Sequence, residues 1–453
     1  MKTKIVLMVL CVVVLALVAV QVSPASVVAA QATASATTTG AAATTGTPEA
    51  TGTAAATTTS EATSAPQATS VPVTPSAGAA APQEITIGVV LPFTGSLGQF
   101  GIGFREGVEL AVEQMNTRLK DAGRNITFKI ASADTTGTPD GAAKAFQTVV
   151  QTSGAQVVVG PLATSEVLGA KQFADANHIV IIAPASTAQG AAIPDDYIFR
   201  VFDPPDAFAA QAFLGIAQQR GYQNIVVLHV DDPFGNGMFS ALSNGFKGTL
   251  SEVKYPNNPA DLSGEITKVS SEIARLSPSG KTAFFCVCFL GDAQKVAQQA
   301  IADVNLGTVD WLGVENLRSK DLLTSDIGPV LSKANFTTVS FIGSQNPNTQ
   351  PYLDAYKAKF GHDSGPFTNY AYDAANIAML SVLVAGNDGQ AIQKIVPFIA
   401  DHYIGTEVQA FLDANGDQAI AAYGIYQVNK DGTDFTQIGT YDSASGKVTL
   451  TTP

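Results

Sequence analysis

The segment from Gln156 to Ala183 decides the fold class, and it reads QVVVGPLATSEVLGAKQFADANHIVIIA. Its two ends, Gln156–Val159 and Val180–Ala183, are short runs rich in branched apolar residues, which predict buried strands. Ser165–Asn177, between them, is predicted to be a helix. A strand, a crossover helix and a second strand predict parallel neighbours in one sheet. Strands that are apolar throughout indicate a sheet covered on both faces.

The same alternation continues on both sides of this segment. Before it, the sequence predicts strands at Ile85–Leu91 and Ile126–Ala131 and helices at Gly103–Lys120 and Asp140–Ser153. After Asp203-Pro-Pro205 it begins again, with helices predicted at Ala207–Arg220, Phe234–Thr249 and Asp292–Asn305, and strands at Asn224–His229, Thr282–Phe289 and Trp311–Val314. We therefore predict an α/β fold of two doubly wound parallel-sheet lobes, joined by hinge strands near Asp203 and Ser344, with a ligand cleft between them.

The folded part, from about Glu84 to Pro453, is long enough for two domains that each bury a core. We expect residues 84–203 with about 344–417 to form the first lobe, and residues 204–343 with about 418–453 to form the second. Ligand sites on such sheets form beyond the carboxyl ends of the strands.

The first 83 residues have a different composition from the rest. Lys2 and Lys4 precede an uncharged apolar run, and Val28-Ala-Ala30 resembles a cleavage site, so residues 1–30 are interpreted as a signal peptide or a retained N-terminal anchor. Residues 31–83 are rich in Thr, Ala, Ser and Pro and are predicted to be a disordered linker. Both features predict an extracytoplasmic protein, in the periplasm or at the outer face of the cell membrane.

Charge and cysteine content narrow the functional classes. The chain has 25 Lys and Arg against 38 Asp and Glu, a net charge of −13, and such an acidic surface argues against nucleic acid as a partner. Cys286 and Cys288 lie two residues apart in a predicted core strand. That spacing is awkward for a disulfide, so they are interpreted as buried thiols.

Motifs for metal, cofactor or catalytic chemistry are not recognised. The chain has four histidines with no ligand spacing between them: His178, His229, His362 and His402. The glycines of Phe93–Gly101 do not match a dinucleotide fingerprint, and no nucleophile elbow is found. Asp413-Ala-Asn-Gly-Asp417 is predicted to be a hairpin turn rather than a calcium loop. We therefore predict a protein that is not an enzyme and has neither a metal nor a cofactor.

Two loops at strand ends carry small hydroxyl residues. Leu162-Ala-Thr-Ser165 and Pro184-Ala-Ser-Thr-Ala188 each follow a predicted strand. Backbone N–H groups and hydroxyls at helix N-termini can hold a carboxylate. Ordinary capping by Thr164 or Ser165 would explain one such loop alone, so both interpretations stay open.

Six short motifs occur in order along the chain: Ile85-Thr-Ile-Gly-Val-Val-Leu-Pro-Phe-Thr-Gly95, Glu106-Gly-Val-Glu-Leu-Ala-Val-Glu113, Val159-Gly-Pro-Leu162, Ile182-Ala-Pro-Ala-Ser-Thr187, Tyr197-Ile-Phe-Arg200 and Tyr372-Asp-Ala374. Together they resemble the type I periplasmic binding proteins of the branched-chain amino-acid (Leu/Ile/Val) class. The resemblance covers essentially all of Glu84–Pro453.

The resemblance implies a set of ligand contacts. Thr164, Ala185 and Thr187 would hold a ligand carboxylate, and Glu315 would pair with the ligand ammonium. Tyr372 falls near an aromatic position that lines the site.

The chain departs from the pattern at the aromatic wall of the site. Phe100 and Phe234 stand where relatives often carry Tyr, and Leu290 takes another aromatic place. The resemblance therefore implies a more apolar pocket, suited to an aliphatic or aromatic ligand side chain.

The implied function is capture of a small amphipathic solute, above all a branched-chain or other apolar amino acid, for an ABC permease in the membrane. The alternative from a different class is a ligand-sensing receptor module that signals through a membrane partner.

Overall fold

The computed structural model describes residues 83–343, 346–407 and 409–451. The predicted leader and nearly all of the predicted linker lie outside these residues. Among the described helices, none combines the length and the apolar character that a membrane span requires.

The first sheet has five parallel strands in the order β2-β1-β3-β4-β5. They are β1 (Gln83–Leu91), β2 (Ile126–Asp134), β3 (Val157–Val159), β4 (Val180–Ile182) and β5 (Ile198–Phe199), connected by helices α1 (Gly98–Asp121), α2 (Pro139–Ser153) and α3 (Thr164–Asn177). Val157 and Val159 belong to one buried cluster, and Val158 between them belongs to another. Since neighbouring side chains on a strand face opposite ways, both faces of the sheet are covered, as predicted.

The second sheet has eight strands in the order β13-β12-β11-β10-β9-β8-β6-β7. The parallel strands are β6 (Asn224–Val230), β7 (Thr249–Tyr255), β8 (Thr282–Val287), β9 (Asp310–Gly313) and β10 (Thr337–Phe341); β11 (Ala422–Val428), β12 (Phe435–Asp442) and β13 (Lys447–Leu450) are antiparallel. Its helices are α4 (Asp206–Arg220), α5 (Pro233–Gly245), α6 (Ser263–Leu276), α7 (Leu290–Ala300) and α8 (Ile327–Lys333). The α/β class with parallel sheets is confirmed, although an antiparallel meander extends the second sheet.

Three later helices pack on the first sheet, although they follow the main part of the second. They are α9 (Thr349–Phe360), α10 (Thr368–Ala385) and α11 (Gly389–His402). Helix α10 is buried almost along its whole length and packs against α1. A Cβ on Gly107 of α1 would come within 2.5 Å of the Thr368 carbonyl oxygen, so glycine permits this close approach.

Two local predictions were wrong. The helix predicted at Phe234–Thr249 ends at Gly245, and strand β7 begins at Thr249. Cys286 and Cys288 are joined by a disulfide instead of being free thiols, with their Cα atoms 5.3 Å apart. The prediction of free thiols assumed that both cysteines lie in one extended strand. Strand β8 ends at Val287, so Cys288 lies outside the strand and that spacing does not apply to the pair. The separation lies within the usual range of about 4.4–6.8 Å.

A buried carboxyl group anchors the start of helix α3. Glu166 Oε2 accepts a hydrogen bond of 2.8 Å from the Ala163 N–H, and Oε1 accepts one from the Thr135 hydroxyl. Burial raises the pKa of Glu166 to about 7, although these hydrogen bonds oppose the increase. The fold therefore favours the protonated form of Glu166, which lies in the first turn of α3, close to Thr164.

Glu166→Gln should weaken the pH dependence of stability. The pKa of Glu166 is raised above its unfolded value, so its stabilising contribution is complete below about pH 4.5. That contribution is lost as the pH rises to about 7, and amounts to roughly 3 kcal/mol. Urea unfolding between pH 4.5 and 8 should show a shallower decline for the variant. Glu84→Gln, at an exposed pair with Lys129, is the control. Identical slopes for Glu166→Gln and wild type would contradict this assignment.

Candidate ligand-binding site

A small cavity of about 50 Å³ lies between the two sheets, beyond the carboxyl ends of their strands. Six of the eight residues predicted for the site line it together: Phe100, Thr164, Ala185, Thr187, Phe234 and Glu315. The first four come from loops and helices of the first sheet, and the other two follow strands of the second.

The remaining two predicted residues lie elsewhere. Leu290, the first residue of α7, lines a larger groove of about 1060 Å³ that also borders Phe100 and Glu315. Tyr372 lines neither space. Tyr372 lies one turn beyond the end of α10 that reaches the cavity. Its hydroxyl therefore donates a 2.6 Å hydrogen bond to Gln114 Oε1 on α1.

The aromatic residue that α10 brings to the cavity is Phe367, which the sequence reasoning missed. Its ring centroid lies 6.2 Å from that of Phe100 and 5.6 Å from that of Tyr370. Phe367 has a φ of +60°, in the left-handed region that bulky residues rarely adopt. Such strain persists only where the surroundings enforce it, and it points this ring into the space between the sheets.

Apolar side chains, five of them phenylalanines, form most of the cavity wall. Phe234 stacks on Phe289 with ring centroids 5.6 Å apart, and both line the cavity. Leu97 and Phe104 complete the side formed by α1 and the loop before it. The wall therefore suits an apolar ligand group.

The two hydroxyl loops are tied to each other. Thr164 begins α3, and its hydroxyl lies 3.0 Å from the Ser186 hydroxyl and accepts a 3.1 Å hydrogen bond from the Ala188 N–H. The Thr187 carbonyl accepts a 2.9 Å hydrogen bond from the Asp206 N–H. Adjacent strand ends thus present their polar groups at one point.

A buried arginine holds this pair of loops in place. Arg200 binds both carboxylate oxygens of Asp417, through Nε at 2.6 Å and Nη2 at 2.5 Å. Its Nη1 donates to the carbonyl oxygens of Ser186 and Ala188, at 3.3 Å and 2.7 Å. The sequence showed Arg200 only as part of a motif, and nothing local indicates that its partner is 217 residues away.

Asp417 belongs to the predicted hairpin turn. Leu412 pairs with Gln418, and the Asp413 carboxylate accepts hydrogen bonds from the N–H groups of Asn415 and Asp417. In the parts of the chain that the structure describes, no group of three or more His, Cys, Asp or Glu side chains is arranged to hold a metal ion.

Acidic groups gather where the chain passes from the first sheet to the second. Glu315 follows β9 and Asp203 follows β5, and both line the cavity; Asp206 begins α4. Burial, reinforced by the charges of Asp203 and Asp206, raises the pKa of Glu315 well above its usual value. Burial also raises the pKa of Asp206 to about 7.

Each of these carboxyl groups has a buried oxygen without a protein hydrogen-bond partner among the described residues: Asp203 Oδ1, Asp206 Oδ2 and Glu315 Oε2. A buried acceptor without a donor costs roughly 1–3 kcal/mol, and more when it is charged. These three oxygens therefore keep unused hydrogen-bonding capacity in a buried region.

Direct contacts bridge the two halves of the molecule beside the cavity. Ser96 donates a 2.7 Å hydrogen bond to Asp292 Oδ1 through its hydroxyl, and its N–H donates to Asn258 Oδ1 at 3.0 Å. Ser165 donates to Asp232 Oδ2 at 3.3 Å. These bonds keep the cleft narrow around the lining residues.

The family profile described as periplasmic binding protein matches residues 84–433. The chain belongs to the periplasmic binding protein family. The fold is that of its type I members, which are solute-binding proteins of the ABC-transporter type, and the family location is extracytoplasmic. The Leu/Ile/Val-binding protein of Escherichia coli (strain K12) is 25% identical over 358 residues, which cover 78% of this chain and 93% of that protein.

Solved structures of other periplasmic binding proteins show the same fold. A leucine-binding protein from Thermotoga maritima superposes with a TM-score of 0.68 at 21% identity, covering 80% of this chain and 99% of that one. A solute-binding protein of R. palustris in complex with benzoate has a TM-score of 0.67 at 17% identity, covering 82% and 98%.

Arg200→Met should destabilise this binding protein by about 3–5 kcal/mol, because it leaves Asp417 buried without its cation. Adding Asp417→Asn should recover part of that loss, because the unpaired charge is removed. Urea unfolding measures both changes. The control is Arg275→Met, whose exposed pair with Glu272 is worth less than about 1 kcal/mol. Equal losses for Arg200→Met and Arg275→Met would show that the Arg200 pair has no special role.

Proposed function

We propose that this protein binds an apolar amino acid and delivers it to an ABC permease in the membrane. The observation that carries the proposal is the buried, unpartnered Oε2 of Glu315 at the wall of an otherwise largely apolar cavity. An ammonium group supplies the missing donors and the opposite charge, and a neutral apolar solute supplies neither.

The ligand carboxylate would lie at the hydroxyl loops. Thr164, Ala185 and Thr187 line the cavity across from Glu315, at the start of a helix and the end of a strand. A helix N-terminus favours a negative charge, and hydroxyl and backbone donors suit a carboxylate.

The ligand side chain would lie among the rings. Phe100, Phe234 and Phe367 reach the cavity without a hydroxyl group, so they favour an aliphatic or aromatic side chain over a polar one. Leu290 would border the same side chain from the larger groove. Glu315 also argues against an aromatic acid such as the benzoate bound by the R. palustris protein, because such a ligand brings no ammonium donors to the unpartnered Glu315 oxygen.

Ligand delivery would use the two lobes as a clamp. The ligand stabilises the closed arrangement by the difference in its affinity for the closed and open states. The boundaries of these lobes, near residues 203, 344 and 417, are part of the proposal. So is the tethering of the protein to the outer face of the membrane by its N-terminal segment.

A thermal-shift screen of the protein against amino acids, aromatic acids and short amides tests the proposal. A ligand in large excess over its dissociation constant should add about 3–4 kcal/mol of stability. We expect stabilisation by leucine, isoleucine, valine or phenylalanine. Stabilisation by acids or amides without an ammonium group, and by no amino acid, would overturn the proposal.

Glu315→Ala should weaken amino-acid binding by roughly 2–5 kcal/mol, because the ligand ammonium would stay buried without its charge partner. Isothermal titration calorimetry measures the change in the dissociation constant. Glu84→Ala is the matched control, since Glu84 lies at the opposite end of β1 from the cavity and is exposed. An unchanged dissociation constant for Glu315→Ala would remove Glu315 from the site.

A further inference from the structure

A second carboxyl group shares the acidic end of the cavity with Glu315. Asp203 lies in the segment between β5 and α4, is 5% exposed, and lines the same cavity. Its Oδ1 is buried and has no protein partner in the described part of the chain, like Oε2 of Glu315. Asp203 and Glu315 therefore line one space, and each has a buried acceptor without a protein partner.

The two carboxyl groups also act on each other: burial raises the pKa of Asp203 to about 7, and burial together with the charge of Asp203 raises the pKa of Glu315 well above its usual value. Two ionised carboxylates have no proton to share and repel each other. Above about pH 7 the pair in the ligand-free cavity therefore holds one proton, on Glu315, whereas at pH 6 Asp203 is largely protonated as well.

The surroundings do not supply another cation to this pair. Arg200, the nearest basic group, directs its hydrogen bonds to Asp417 and to the carbonyl oxygens of Ser186 and Ala188. The other titratable groups that face the pair are Asp206 from α4, Tyr370 from α10 and Tyr423 from β11. The tyrosines stay neutral because burial raises their pKa, and Asp206, whose pKa burial raises to about 7, supplies no positive charge.

The acceptors match N–H donors better than a metal ion. The described residues contain no cluster of three carboxylate, thiol or imidazole groups with metal-binding geometry. Asn316 Oδ1, which is also buried and unpartnered, adds a neutral acceptor to the cavity wall. A primary ammonium group has three N–H donors and carries the charge that two carboxylates require.

We propose that Asp203 and Glu315 form a two-carboxylate cation subsite, which takes a ligand ammonium group with at least two N–H donors in exchange for the proton on Glu315. The inference rests on the proposed function and adds a second recognition residue to it. As the ammonium group enters, Glu315 releases its proton to the solvent, and both carboxylates then accept N–H bonds. The net charge of the pair with its occupant is unchanged, so the exchange adds no charge to the interior.

This exchange predicts the selectivity of the site. L-Leucine and N-methyl-L-leucine retain at least two N–H donors, whereas N,N-dimethyl-L-leucine retains one and 4-methylpentanoate has none. The first two should bind, and the last two should bind at least tenfold more weakly. Because a proton is displaced, affinity should increase as the pH rises, until the empty pair loses its proton by itself.

The experiment is isothermal titration calorimetry of the full chain with these four compounds, and with L-phenylalanine. Each is titrated in two buffers that differ in ionisation enthalpy, at pH 6 and pH 8. Wild type should release protons when it binds leucine at both pH values, close to one per leucine at pH 8 and more at pH 6. Asp203→Asn should release fewer protons than wild type at pH 6, because only Glu315 then gives up a proton. It should bind leucine at least tenfold more weakly at pH 8, and discriminate less between N-methyl- and N,N-dimethyl-leucine. Asp354→Asn, at an exposed position on α9, should behave like wild type.

The outcomes separate this inference from the proposed function. If neither leucine nor phenylalanine binds, the proposed function is wrong and the inference falls with it. If leucine binds without proton release, or N,N-dimethyl-leucine binds equally well, the function stands and the two-carboxylate subsite is wrong. Proton release and the affinity for N,N-dimethyl-leucine are both measured on the wild-type protein, so the test holds even if Asp203→Asn does not fold.

Discussion

The ion pair between Arg200 and Asp417 ties together the segments that the site depends on. Arg200 directly follows β5, and residues 416–418 run beside it through backbone hydrogen bonds of 2.9 Å and 3.0 Å. The same guanidinium group holds the carbonyl oxygens of Ser186 and Ala188. A buried ion pair of this kind is costly to break and needs all of its hydrogen bonds. It therefore fixes the position of residues 416–418 beside Arg200 and the conformation of the loop that carries Ser186 and Ala188.

Around this neutralised pair, the cavity keeps an excess of acidic groups. Asp203, Asp206 and Glu315 are held in a low-dielectric region, and part of their hydrogen-bonding capacity is unused. Such an arrangement lowers the stability of the empty protein and is tolerated because the sheets on either side bury extensive apolar cores. In the proposed function, the same unused capacity becomes favourable when a ligand brings the matching donors, so the cost of the empty site would become a source of selectivity.

The parallel part of the fold could be predicted because its strands and helices are local patterns. β3 and β4 are apolar runs bounded by turns, and their burial on both faces followed from that composition. The exposed and half-buried residues of β7, and the antiparallel return of β11–β13, lack so clear a pattern. The disulfide between Cys286 and Cys288 depends on where β8 ends, which strand periodicity does not determine.

The sequence by itself determined the alternation of strands and helices, the strand-end loops and the kinds of side chain that those loops carry. These follow from periodicity and local conformational preference, which act over a few residues. Only the tertiary structure decided that Phe367 rather than Tyr372 reaches the cavity, that Arg200 meets Asp417, and that Asp203 faces Glu315. The reason is that these outcomes depend on how separate segments cross and on which groups lose their water together, and neither is encoded within any one segment.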